Sequence, residues 1–409
     1  MNLDTSAVGA SWLAAAASAV DVPAIVGAPI EELLFFDPRQ PSATAYRFPA
    51  KRGHRVSIEI ESDIDQLFVD LFRIAESSEP SLVHVASRDS ETGLLQFEPR
   101  RDADYLLRVQ PELLRGGKVS VGIVVRASLA FPVDGAGPEN IWSFFGDPRD
   151  AGARIHEGID IFAPRGTPLL AASDSVVMRV SVRVRGGNVV FLYDEDRDLR
   201  LYYAHLEEQL VTQGQALRAG DIVGTVGNSG NAITTPTHLH LGLYRGGWGG
   251  AVDPWEFFVD PARVTPESID HADMVGEWYR TDEPVVMTLG YNGTRTSRSI
   301  SNRNPLVRPS TTAEPLTIEI PAGSALFVNG ALGNRVRVRN SAGSWGFITP
   351  SALSHATEAV RLDSAKRVVD PSSGAEIGEL PEGSLVDAMG DDSGDQLARL
   401  ESGRVVWLR

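Results

Sequence analysis

The chain contains no cysteine, so it builds no disulfide, and thiolate zinc motifs drop out of consideration. Any metal must be held by His, Asp or Glu. Positive charge is also scarce: 38 Lys and Arg stand against 54 Asp and Glu, a net charge of -16. Such a surface repels nucleic acid and anionic lipid, so neither is an expected partner. No apolar run approaches the roughly 18 residues that span a bilayer, and an integral membrane protein is not expected. No Lys or Arg precedes Arg39, so the stretch Val8 to Val20, with its Ala17-Ser18-Ala19, lacks the basic start of a signal peptide. It reads either as a signal remnant within residues 1–38 or as an Ala-rich segment docked on the first domain.

With 409 residues and 42% hydrophobic content the chain can fill several cores, and three or four domains are expected. Its 39 glycines and 25 prolines, together with short apolar runs, point to a mainly β, multidomain protein. Alternating bursts such as Val56 to Ile60 and Tyr105 to Gln110 predict a β-sandwich over residues 39–127. That block resembles the jelly-roll accessory domains of secreted bacterial peptidases. Residues 128–262, richer in glycine and holding four of the eight histidines, predict a central antiparallel β domain. Gly290 to Pro315 reads as loop; the sequon Asn292-Gly293-Thr294 within it is uninformative. Ile320 to Ser324 is echoed by Leu380 to Ser384, and Gly343 to Ile348 by Gly403 to Leu408, an offset of 60 residues. Two small barrels follow as the expectation, one with its linker over 263–357 and one over 358–409. Their turn and late Trp strand resemble bacterial SH3-type domains, which often bind wall peptides, and spacers without a ligand fit the same pattern.

Chemistry concentrates between His156 and His240. In Thr237-His238-Leu239-His240-Leu241-Gly242-Leu243 the histidines lie two apart, on one face of a strand, while the leucines face the core. Two imidazoles on an otherwise apolar strand point to a metal or a substrate. His156-Glu157-Gly158-Ile159-Asp160 places an imidazole and a carboxylate four apart, but Gly158 and the β-branched continuation predict a turn entering a strand. Both side chains can still converge on one ion. Tyr202-Tyr203-Ala204-His205-Leu206 supplies a third strand-end histidine that says little alone.

Taken together, His-x-x-x-Asp, Tyr-Ala-His-Leu and His-Leu-His resemble the M23 family of metallopeptidases, the lysostaphin and LytM type. The likeness extends from about Phe131 to Pro254 and takes in Gly166-Thr167-Pro168 and Asp253-Pro254. The resemblance implies that His156, Asp160 and His240 hold Zn²⁺ and leave a fourth position for water. Two nitrogens and one carboxylate oxygen suit that ion, and three ligands with an open position mark a catalytic site. His205 and His238 match the family's two non-ligand histidines. The implied reaction is zinc-dependent hydrolysis of peptide bonds in peptidoglycan, with His238 taking a proton from water and His205, or a histidinium there, holding the oxyanion. It implies a periplasmic or extracellular location and peptidoglycan peptides as partner; the bond cut and the oligomeric state are not implied.

Other readings weigh against this one. Position 160 is Asp, so the helical His-Glu-x-x-His motif fails. Gly224 to Gly230 lacks the Gly-x-Gly start of a dinucleotide loop and reads as tight turns. Glu157, Asp174 and Asp194 read as solvated carboxylates. Some LytM-type domains that have lost ligands regulate other wall enzymes, but here all five positions are filled. A peptidase acting on proteins or free peptides is the third reading.

Overall fold

The computed structural model describes residues 6–75, 82–89, 93–247, 249–261, 265–289, 316–340, 344–355, 357–392 and 394–409. The loop expected at Gly290 to Pro315, its sequon and Gly343 of the repeat lie outside the described residues. The described residues form five sheets, nearly all antiparallel, with a 15-residue helix Ala7–Asp21. None of the helices is long and apolar enough to cross a membrane.

In the N-terminal unit a five-stranded sheet faces part of an eleven-stranded one. Alternate residues of both, among them Tyr46, Phe48, Leu107, Ile58 and Ile123, meet in one core. The helix Ala7–Asp21 docks on the outer side of the five-stranded sheet, where Ala19 meets Ala45 and Leu106. Trp12 fastens it by donating from Nε1 to the Pro111 carbonyl at 2.8 Å.

Strand Ile30–Phe36 binds the outer units together. One edge pairs with Gly117–Ala127 and the other with Ala325–Leu332, so the C-terminal strands extend the N-terminal sheet. Glu32 on this strand is fully buried. Arg337 meets it with Nε and Nη2 at 2.7 and 2.8 Å, and Tyr46 donates to it at 2.6 Å. The guanidinium also lies over Trp345 and Phe347, 4.5 and 4.8 Å from the ring centroids.

The repeat reappears as structure. Strands Ala325–Leu332, Arg335–Arg339 and Trp345–Ile348 recur 60 residues later as Leu385–Asp392, Asp395–Arg399 and Val405–Leu408. They adjoin one another in the same order in each sheet. Trp278 and Trp407 meet edge to face at 5.6 Å where the two copies touch.

These sheets overturn two expectations. Among the described residues no sheet closes on itself; each runs from one open edge to another. The jelly-roll form and the two SH3-like barrels are therefore not what the chain builds. The physical reason is strand Ile30–Phe36, which occupies the edge that a free-standing C-terminal barrel would use for its own closure.

The middle unit is a ten-stranded antiparallel sheet with a twisted path from Ile141–Ser143 to Ala216–Leu217. Its core gathers Ile159, Ile161, Leu201, Tyr203, Leu239, Leu241 and Leu243, all fully buried. The opposite face of these central strands carries the histidines.

Candidate metal centre

Strand Ile159–Phe162 pairs antiparallel with His238–Tyr244 in a register that sets Asp160 opposite His240 and Phe162 opposite His238. Period-two alternation then puts Ile159, Ile161, Leu239 and Leu241 into the core and these four residues on the other face. His156 reaches the same place from the turn before the strand. Gly158 lets that turn lie against the sheet: a Cβ there would stand 2.3 Å from the Leu241 carbonyl oxygen and 2.9 Å from His240 Cε1.

Alternation would send His205 into the core, because Ala204 lies opposite His240. Instead His205 has φ +66, a left-handed conformation that costs a non-glycine residue roughly 1–3 kcal/mol. This kink turns its ring toward the histidine face, 5.1 Å from His238 and 6.1 Å from His240 between centroids. The Ser229 carbonyl accepts from His205 Nδ1 at 2.9 Å. Gly187 admits that loop, since a Cβ there would lie 2.2 Å from Ser229 Oγ.

Carbonyl oxygens only accept, so they determine which ring nitrogen holds the proton. His156 Nδ1 donates to Phe144 O at 2.9 Å, and His238 Nδ1 to Pro236 O at 2.8 Å. In the neutral rings of His156, His205 and His238, Nε2 is therefore a bare lone pair. His156 Nε2 lies 3.0 Å from Asp160 Oδ1 and 2.9 Å from His240 Nδ1, which is itself 3.0 Å from the same oxygen. Three electron-rich atoms so placed, largely out of water, need a proton or a cation between them. The two nitrogens and one carboxylate oxygen fit a divalent metal, and among the described residues this is the cluster of three such groups.

Surrounding groups set the electrostatics. Arg149 Nη2 donates to Asp160 Oδ2 at 2.8 Å and leaves Oδ1 for the cluster; the same nitrogen contacts Ser143 Oγ, which also lies 3.2 Å from His156 Nδ1. Burial would raise the Asp160 carboxyl, but hydrogen bonds and charge from His156 and His240 outweigh it and hold it well below the usual carboxylate range. Burial lowers His240, with Asp160 pulling the other way. His205 is lowered to about 4, first by burial and then by the neighbouring His238 and His240, against the Ser229 hydrogen bond. It is neutral at pH 7.

All five histidine and aspartate positions singled out in the sequence thus lie at one place. Asp194 is engaged by Arg197 at 2.8 Å and Asp174 by the Ala219 amide at 2.8 Å, both away from the cluster. Sequence reasoning missed Ser143 and Arg149, whose long-range contacts leave no periodic trace. It also missed an aromatic stack in which Trp142, 65% exposed, lies on Phe162 at 4.8 Å and Phe162 on His238 at 5.0 Å. An exposed tryptophan beside the histidines was the available signal.

Residues 154–254 match peptidase family M23. The chain is 32% identical over 117 residues to the peptidoglycan DD-endopeptidase ShyC of Vibrio cholerae, covering 29% of this chain and 23% of that one. It is 35% identical over 124 residues to the L-Ala--D-Glu endopeptidase of Bacillus subtilis, covering 28% and 38%. Among solved structures, the catalytic domain of the antimicrobial peptidase lysostaphin from Staphylococcus simulans is 30% identical over 27% of this chain and 85% of that one, with a TM-score of 0.25. The segment is homologous to M23 metallopeptidases, and the chain spans between 20% and 39% of the length of the first curated relatives it matches.

Proposed function

We propose that this chain is a zinc-dependent endopeptidase that hydrolyses peptide bonds in the stem peptides or cross-links of peptidoglycan. The observation that carries the reading is the meeting of His156 Nε2, His240 Nδ1 and Asp160 Oδ1 within 3.0 Å of one another, in a segment homologous to M23 peptidases. Zinc held by these three would supply a Lewis acid that lowers the pKa of water from roughly 15.7 toward about 7 and polarises a peptide carbonyl.

The rest of the chemistry falls to the chain's own groups. His238 Nε2, bare because Nδ1 is committed to Pro236, accepts a proton from the attacking water. The water oxygen bonds to the carbonyl carbon, the C–N bond breaks, and the amine departs with a proton. His205 is neutral at the outset and accepts at Nε2; it stabilises an oxyanion only in the form that has taken up a proton. Phe162 holds the His238 ring face to face, and Trp142 offers an apolar wall for the peptide. Such a substrate lies in the periplasm or outside the cell, and the protein is assigned there.

Metal analysis and digestion of purified cell wall, with mass analysis of the fragments with and without chelator, test the proposal. About one zinc per chain and release of new amines are expected. Asp160→Ala and His240→Ala should lose the metal. His238→Ala should keep it and lose about 10²–10⁴-fold in turnover. Retained turnover in His238→Ala removes the base assignment. Stoichiometric zinc with intact wall but a cleaved unfolded protein makes the enzyme a general peptidase.

A further inference from the structure

A second site is built where the N-terminal and middle units meet, and its argument does not depend on the peptidase reading. A cavity of about 350 Å³ opens there, lined by Arg52 and Arg100 from one unit and Arg197 and Arg245 from the other. This is within the roughly 300–1,000 Å³ range of small-ligand sites. Arg245 lies five residues beyond His240, about 16 Å along an extended chain, so the cavity is separate from the histidine cluster.

The charge balance of the lining is uneven. Glu98 and Asp196 also line the cavity, but Glu98 is already taken. Arg197 grips it with Nε and Nη2, both at 2.7 Å, and Arg55 adds contacts at 3.0 and 3.1 Å. Arg197 gives its Nη1 to Asp194 as well, at 2.8 Å, and is neutralised. Arg245 reaches only carbonyl oxygens, of Arg100 at 3.3 Å and Arg197 at 3.0 Å. These use two of its five donors. Among the described residues no salt bridge joins Arg52, Arg100 or Arg245 to a carboxylate. Three guanidiniums thus face one small space with only Asp196, on the exposed rim, opposing them, in a chain whose net charge is -16.

Like charges held together around a concave, partly dry space repel one another, and an anion between them removes that repulsion. The effect is already visible at Arg245, lowered by burial and then by the charges of Arg52 and Arg100. Guanidinium forks match the planar or tetrahedral oxygens of carboxylate and phosphate. We propose that this cavity is an anion site that takes the phosphate or carboxylate group of a small ligand and, by bridging Arg52 and Arg100 to Arg245, ties the N-terminal unit to the middle one.

Calorimetric titration of the full chain with inorganic phosphate, and separately with succinate, at ionic strength held constant with sodium chloride, tests this. One saturable site is expected, and the tighter of the two ligands identifies the group the site takes. Arg100→Ala, at an exposed position, and Arg245→Ala should each weaken binding at least tenfold. Arg218→Ala, in an exposed turn elsewhere on the middle unit, should change it less than twofold. Binding should persist in Asp160→Ala, which separates this site from any anion bound at a metal. Absence of saturable binding by either ligand overturns the proposal, as does equal weakening by Arg218→Ala or loss of binding in Asp160→Ala. Thermal melts of each variant confirm folding, and if Arg245→Ala fails to fold, Arg100→Ala decides alone.

Discussion

At His205 a single backbone torsion decides which side of the sheet an imidazole occupies, and the same burial makes the residue a reporter of pH. Its folded-state pKa is near 4, whereas an unfolded chain holds a histidine near 6.5. As pH falls, the unfolded state takes up the proton first, so stability is unaffected above about pH 6.5 and declines from there toward about 4. The span corresponds to about 3 kcal/mol. Urea unfolding of metal-free protein at pH 7.5 and 4.5 should show this decline, and His205→Gln should show a smaller one; identical slopes would refute the assignment. The neighbouring sites differ in how readable they were. The two-residue spacing of His238 and His240 required only strand periodicity, so their shared face was plain from the chain. The kink that brings in His205 was not, because alternation predicts the opposite side. Arg149, eleven positions before Asp160, gave no local sign of the carboxylate it holds.

At the scale of the element, the turn from His156 to Ile159 is what converts a sheet into a site. Strand pairing alone brings Asp160 and His240 together; the third donor depends on Gly158 lying against the Leu241 carbonyl. In Gly158→Ala the methyl would meet backbone oxygen, which a sheet interior cannot move aside cheaply. A loss of about 1–3 kcal/mol in stability and a weaker grip on zinc are expected, measured by denaturant midpoint and by competition with a chromophoric chelator. Unchanged zinc affinity would show that His156 is positioned by its Asp147 and Phe144 contacts instead. The sequence already disfavoured a helix here, since glycine and β-branched residues oppose one, and the strand Ile159–Phe162 agrees. The repeat in the C-terminal part was equally legible, down to the spacing of its three strands. What repeats is a run of strands, however, and identical runs can end in a closed barrel or in an extended sheet. That outcome rests on a partner strand some 300 residues earlier, out of reach of any local pattern.

Across the whole molecule, the buried pair of Glu32 and Arg337 fixes how the first and last thirds of the chain meet. Each is satisfied by the other, by Tyr46 and by aromatic faces, so truncating one strands a charge in an apolar interior. Arg337→Ala should cost about 3–5 kcal/mol, while replacing both with apolar residues, Glu32→Leu with Arg337→Met, should cost far less. Equilibrium unfolding of the two variants checks this; equal losses would mean that packing rather than stranded charge dominates. The mainly β, multidomain character followed from composition and short alternating runs. The merger of the outer units did not, because Glu32 in Ile30-Glu31-Glu32-Leu33 has no mark that sets it apart from its solvent-facing neighbour. The merger changes how the middle unit is carried. Its incoming chain leaves from strand Gly117–Ala127 and its outgoing chain returns into Trp278–Thr281, both in the same eleven-stranded sheet. The hydrolytic module is thus not a bead on a string but a drawer set in one frame by two rails: it can rock about the line joining them, and it cannot spin or trail away from its housing.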